Sequence, residues 1–193
     1  MKRILIVSLF VVFCFTPLTT LAEHTSVDAG SVELGVGNIA QYSFYFSGNN
    51  DDPRIFGFGL TPNLTIGYFL VNRLMFGVSF GLYNYKDDSM SESYTEFYIM
   101  PLVKYYFPLS DRFLLNLKVF FGYYRETDVG TDNFWMQFRV GGGLAVTYLI
   151  IPQLGINLGG DFANLSHWRY GGTEQEGTSD WGPQFYLGLN VYL

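Results

Sequence analysis

The chain has 193 residues, enough for one domain, with 11 basic against 17 acidic side chains and a formal charge of −6. That sign excludes an electrostatic binder of nucleic acid, and a single cysteine excludes a disulfide framework. Aromatic residues reach 19%, and 22 glycines stand against 7 prolines, a balance that suits strands rather than helices.

The chain opens with Lys2 and Arg3, an apolar stretch over 4–15 and the small-residue sequence Thr20-Leu21-Ala22. This is the pattern of a cleavable signal peptide, with cleavage after Ala22. Residues 1–22 are therefore expected to be removed, leaving one domain over 23–193. Thr16-Pro17 interrupts the apolar stretch, and Cys14 lies inside it. The mature chain then has no thiol, and its 9 basic and 17 acidic residues give a formal charge of −8. Beyond the signal no run of 18 apolar residues occurs, so no helix is expected to span a membrane.

After a polar lead-in at 23–30, residues 31–46 alternate. Val32, Leu34, Val36, Ala40, Tyr42, Phe44 and Phe46 share one parity, with Asn38 as the exception. Turn formers at 47–53 end that strand. A second strand is expected over 54–68, although Pro62 is awkward for a central strand. A tight turn at 70–73 leads to a third over 74–86, and 87–92 is a polar loop.

Residues 97–124 then form a hairpin about a turn at 107–112. Phe97, Ile99, Pro101, Val103 and Tyr105 share a face with Phe113, Leu115, Leu117, Val119, Phe121 and Tyr123. The opposite face carries Glu96, Lys104 and Lys118. Side chains alternate faces along a strand, so the apolar face here is continuous and ends in aromatics while the other is charged. An acidic loop follows at 126–132. Further strands are expected over 133–148, 154–165 and 183–193, with a short turn at 149–153 and the longest loop at 166–181.

Eight strands, three short turns and four longer loops describe a closed antiparallel transmembrane β-barrel, all-β, with lipid outside and polar groups inside. Only a closed barrel satisfies every backbone group of strands in lipid. Tyr68, Tyr105 and Tyr148 would form the girdle at the short-turn side, and Phe44, Phe56, Tyr123 and Phe134 the girdle at the long-loop side.

The stretches Gly67-Tyr68-Phe69 and Lys104 to Phe113 resemble those of the small eight-stranded outer-membrane β-barrel proteins, the OmpX-like and OmpA-transmembrane-domain class. The resemblance covers the whole mature chain. It implies location in the cell outer membrane, insertion by the barrel assembly machinery, and roles in envelope integrity, adhesion or resistance to host defences. The family's last strand usually ends in Phe; here the last residue is Leu193.

Three groups of residues could carry function. The inward charges Glu33, Glu96, Lys104, Lys118, Arg139 and Asp161 would form an interior polar network, because buried charges must be paired and an eight-stranded barrel is just wide enough to be filled. Counting from turn centres predicts an ion pair between Arg139 and Asp161 and places Glu96 between Tyr83 and Tyr124. Arg54, Lys86, Arg125 and Arg169 end strands where lipopolysaccharide phosphates would lie, offering charge-assisted contacts. Trp168, Tyr170 and Trp181 make the last loop the best candidate to bind a surface glycan or protein.

The acidic loop groups show no ligand spacing, so no metal and no cofactor are expected. Ser166, His167 and Glu174 or Glu176 are the residue types of a lipid A deacylase. Adjacent Ser and His point to opposite faces, however, and a triad needs them within hydrogen-bond reach, so no catalytic residue is assigned. The expectation is a monomeric, non-enzymatic barrel acting through its extracellular loops. A narrow porin-like channel is the first alternative and a lipid A-modifying enzyme the second.

Overall fold

The computed structural model describes residues 27–47, 50–59, 62–87, 92–128, 134–170 and 177–193. The signal peptide expected at 1–22 lies outside them. The described residues form nine strands: β1 (Val32–Ser47), β2 (Asn50–Gly59), β3 (Asn63–Val71), β4 (Leu74–Asp87), β5 (Glu92–Pro108), β6 (Phe113–Asp128), β7 (Phe134–Ile151), β8 (Leu154–Tyr170) and β9 (Gly177–Tyr192). All neighbours are antiparallel, and β1 pairs with β9, so the sheet closes on itself. β2 and β3 together occupy one position in the wall, which makes the barrel eight-stranded.

The single strand expected over 54–68 is thus divided. β3 starts at Asn63, directly after Pro62, whose ring nitrogen has no hydrogen to donate to a ladder. Across from it, β1 carries a bulge between Val36 and Ala40, and Asn38 sits there at φ 51°. Asn tolerates this left-handed conformation better than most residues, which explains why Asn38 broke the alternation. Below the bulge, β1 pairs with β3 through Glu33↔Gly67 and Gly37↔Asn63. Above it, β1 pairs with β2 through Gln41↔Gly59 to Ser47↔Asn50.

The β3–β4 ladder runs only up to Leu64↔Phe80, whereas β4 pairs with β5 as far as Asp87↔Glu92. Among the described residues no ladder joins residues 81–87 of β4 to β2. Among the described residues the wall is therefore continuous over its lower part, up to Leu64↔Phe80 on the β3–β4 side.

The alternation fixes the two faces as expected. Leu64, Ile66, Tyr68, Phe76, Val78, Phe80, Ile99, Val119, Leu144, Leu158 and Phe185 are exposed on the outside, while Asn63, Thr65, Ser79, Lys104, Asn116, Thr147, Asn157 and Asn190 are buried inside. A water-soluble barrel would reverse this arrangement. Apolar exposure along β3 to β9 marks a surface made for lipid. Aromatic pairs ring the lower rim: Tyr105 packs on Phe107 at 4.8 Å and Phe113 on Tyr148 at 5.1 Å. Near the upper rim Phe121 and Tyr123 both pack on Phe138, and Phe162 packs on Trp181.

Several strands run further than the alternation indicated. β6 continues to Asp128, β8 to Tyr170, and β9 begins at Gly177. Trp168, Tyr170 and Trp181 are thus strand residues rather than loop residues, with Trp168 opposite Gly177. Above the lipid band the backbone can go on pairing in water, where no apolar face is required.

Candidate functional site

The barrel interior is layered. At the short-turn end Val27, Phe69, Met75, Leu114 and Leu149 are buried together with Tyr106 and Tyr192. Residues 27–30 fold across this end. The backbone N–H of Arg73 donates to Val27 O at 2.7 Å, that of Gly30 to Phe69 O at 2.9 Å, and that of Ala29 to Asn72 Oδ1 at 2.9 Å. Residues 27–30 of the expected polar lead-in thus cap the mouth.

Above that seal lies a polar belt. Lys104 Nζ donates to Glu33 Oε1 at 2.5 Å, and Tyr106 OH donates to the other carboxylate oxygen of Glu33. Lys118 Nζ donates to Asp161 Oδ2 at 2.8 Å and to Tyr186 OH at 3.3 Å, and stands 4.6 Å from the Tyr186 ring centroid. Lys104 and Lys118 face each other across the β5–β6 ladder, so two ammonium groups share one level and each is matched by its own carboxylate. Thr147 Oγ1 accepts from Asn116 at 3.5 Å and donates to Asn157 Oδ1 at 3.2 Å.

The expected Arg139–Asp161 pair is not formed. Arg139 lies opposite Leu165, and Asp161 opposite Gly143. Arg139 instead donates to Gln184 Oε1 and, at 3.4 Å, to Tyr124 OH. The cause is the position of the turn. Ile150 and Ile151 stay in β7, and the turn falls at Pro152-Gln153, which moves Asp161 two residues down its partner strand. The partner it gains follows from Gly143: Lys118 is paired to Gly143, which is paired to Asp161. A Cβ on Gly143 would overlap the Asp161 carboxylate, so the missing side chain is what lets Lys118 reach across.

Glu96 lies beside Tyr83 as expected, but its other neighbour is Glu126 rather than Tyr124, which faces Tyr98. Here too the turn is shorter than expected, because Phe107 and Pro108 remain in β5. Glu126, assigned to a loop from sequence, belongs to β6. Its even parity with Lys118 was the signal that could have found it.

The third layer departs from the expected polar interior. Tyr98, Met100, Leu102, Phe120 and Ala163 are buried above the belt, with Tyr124 and Leu165 packed against them. Tyr98 and Tyr124 stack at 4.8 Å. The filling above the belt is therefore mixed: the buried Arg139 guanidinium stands 5.6 Å from the Phe120 ring and donates to buried Gln184.

On the outer rim, Arg125 is exposed with its guanidinium 4.5 Å over the Phe134 ring. The backbones of Arg54, Lys86, Arg169, Trp168, Tyr170 and His167 lie in strands; their side chains are outside the described ones, as are Glu174 and Glu176. Trp181 is exposed on the outer wall against Phe162. Ser166 Oγ donates to Asn164 Oδ1 at 3.3 Å, and His167 has the opposite strand parity.

Wall, filling and connectivity define the class: a small eight-stranded transmembrane β-barrel, its fold that of small outer-membrane barrels. The structure is similar to that of Neisserial surface protein A, at 18% identity and a TM-score of 0.57 over 84% of this chain and 98% of that one. It is equally similar to the outer membrane protein OprG from Pseudomonas aeruginosa, at 10% identity and a TM-score of 0.57 over 88% and 99% of the two chains. No family model and no curated protein sequence matches the chain.

Proposed function

We propose that the chain is an integral outer-membrane protein that works through the extracellular ends of its strands and its loops, on a barrel that conducts nothing along its axis. The observation that carries this reading is the crossing of the lumen by Lys104–Glu33 and Lys118–Asp161 above a capped lower mouth. An ion following the axis would have to break two buried pairs, and leaving one charge of a buried pair unmatched costs about 3–5 kcal/mol.

What remains for contact with the outside is the upper rim. Arg125, with Arg54, Lys86 and Arg169 at neighbouring strand ends, supplies cations at headgroup height. Phosphate oxygens of lipopolysaccharide are matched partners for guanidinium groups. Trp168, Tyr170 and Trp181 give the β8–β9 end its aromatic character, and the partner there would be a surface glycan or protein. The paired charges across the lumen weigh against the channel reading. Recording from the purified barrel in planar bilayers tests the proposal: a flat baseline is expected, and steady unitary currents would overturn it. Replacing Arg54, Lys86, Arg125 and Arg169 together with Gln should weaken retention of lipopolysaccharide through purification while the fold persists.

A further inference from the structure

The turns between β3 and β4, β5 and β6, and β7 and β8 share one backbone latch at the lower rim. The N–H of Tyr106 donates to Arg73 O, that of Leu149 to Arg112 O and that of Tyr192 to Gln153 O, each at 2.8 Å. Arg73, Arg112 and Gln153 therefore hold equivalent places, each directly before the first residue of β4, β6 or β8. That first residue pairs with the residue preceding the latch donor: Leu74 with Tyr105, Phe113 with Tyr148 and Leu154 with Val191. Two of the turns thus combine an arginine with an outward tyrosine. The third replaces both together, with glutamine and valine. A girdle that needed only aromatic residues at the interface would not tie the phenol to the cation.

The turn after β5 shows what the combination can do. Arg112 and Tyr148 are both exposed, and Arg112 Nη1 donates to Tyr148 OH at 3.4 Å. The guanidinium thus lies along the outer wall. The phenol oxygen accepts that bond and keeps its own hydrogen to donate. A guanidinium N–H beside a phenolic O–H suits an anionic oxygen, and bonds from arginine to phosphate are among the strong ones. Phe113 backs the tyrosine, with ring centroids 5.1 Å apart. Apolar side chains stand three residues before each latch position: Leu70 is 56% exposed, Leu109 61% and Ile150 47%. They keep the outward parity of Tyr68, Tyr105 and Tyr148, so they extend the lipid-facing wall down to the turns. Cations set immediately below such side chains meet the headgroup level.

We propose that Arg73 with Tyr105, and Arg112 with Tyr148, each bind the phosphate of a glycerophospholipid in the leaflet on the short-turn side, with Leu70, Leu109 and Ile150 among the acyl chains. The turn that ends in Gln153 holds no such site. The choice of leaflet rests on the orientation proposed above, whereas the pairing of cation and phenol does not.

Native mass spectrometry of the refolded full barrel, released from micelles doped with phosphatidylglycerol, counts the lipids retained. Two bound molecules are expected. Arg73→Gln and Arg112→Gln should each remove one, with affinity at that site about tenfold lower, the scale of one lost charge-assisted hydrogen bond. Tyr148→Phe should weaken the same site as Arg112→Gln. Gln153→Arg with Val191→Tyr should add a third bound molecule. Heat-modifiable mobility on gels verifies that each variant is folded. Equal retention by all variants, or no third molecule on the double variant, overturns the proposal. The same count with lipopolysaccharide checks the orientation, since Arg73→Gln and Arg112→Gln should leave its retention unchanged. If they do, and phosphatidylglycerol retention is unchanged too, the phosphate sites fall and the orientation stands. Loss of lipopolysaccharide on either variant would overturn the leaflet assignment and the orientation together.

Discussion

The residue that shows most about this interior has no side chain. Gly143 separates Lys118 from Asp161 on adjacent strands, and the ion pair forms over it. Any Cβ there would occupy the carboxylate's position, so Gly143→Val should disrupt the pair without touching either charge. Lys118→Met removes the ammonium that the buried Asp161 carboxyl is paired with. The expected loss is about 3–5 kcal/mol of folding free energy, because an unmatched buried charge is worse than none. The double variant Lys118→Met with Asp161→Leu removes both charges and should recover most of it. Urea titration of the barrel in lipid vesicles measures all three. A double variant as unstable as Lys118→Met would show that the pair is not coupled as the geometry indicates.

Along a strand, the lipid wall makes a depth-dependent demand. Val119 stands midway along β6 and is exposed on the outside, while Leu109 is exposed in the turn below β5. Val119→Arg should cost about 2–4 kcal/mol and Leu109→Arg about 0–1 kcal/mol, since an arginine near the interface keeps its guanidinium in water. Equal penalties in a vesicle unfolding assay would place the band elsewhere. The same strands show what could be read from sequence and what could not. Parity along β3 to β9 was legible because lipid on one side and a filled lumen on the other impose period two at nearly every residue. Register was less legible. Phe107, Pro108, Ile150 and Ile151 read as turn residues from their neighbours, yet they stay in strands that reach the lower rim. Each shift of turn centre moved the predicted partners by two residues, which cost the Arg139–Asp161 pair and misplaced Glu96. The Val36–Ala40 bulge and the break at Pro62 left traces, an odd Asn38 and an awkward proline. Neither trace says on which side of the break a ladder resumes. The strand ends above the membrane were invisible, because pairing in water needs no apolar alternation.

For the whole molecule, the layers act in series. The lower seal of Val27, Phe69, Met75, Leu114 and Leu149, the paired-charge belt, and the upper layer of Tyr98, Met100, Leu102 and Phe120 around Arg139 each occupy the same narrow lumen. An obstruction in series is removed only when every element of it is removed, so loosening one layer should leave the axis closed. Val27→Gly withdraws the side chain that the lead-in inserts into the seal, while Glu33 still holds Lys104 and Tyr106 above it. Glu33→Ala with Lys104→Ala empties part of the belt but leaves the seal and the Lys118–Asp161 pair. Both variants are expected to be silent in planar bilayers, and a triple variant combining them is where transient openings should first be seen. Steady current through either parent variant would mean that a single layer carries the whole barrier. The barrel would then be a channel with one gate rather than a filled scaffold whose contacts with the outside are made at its upper rim.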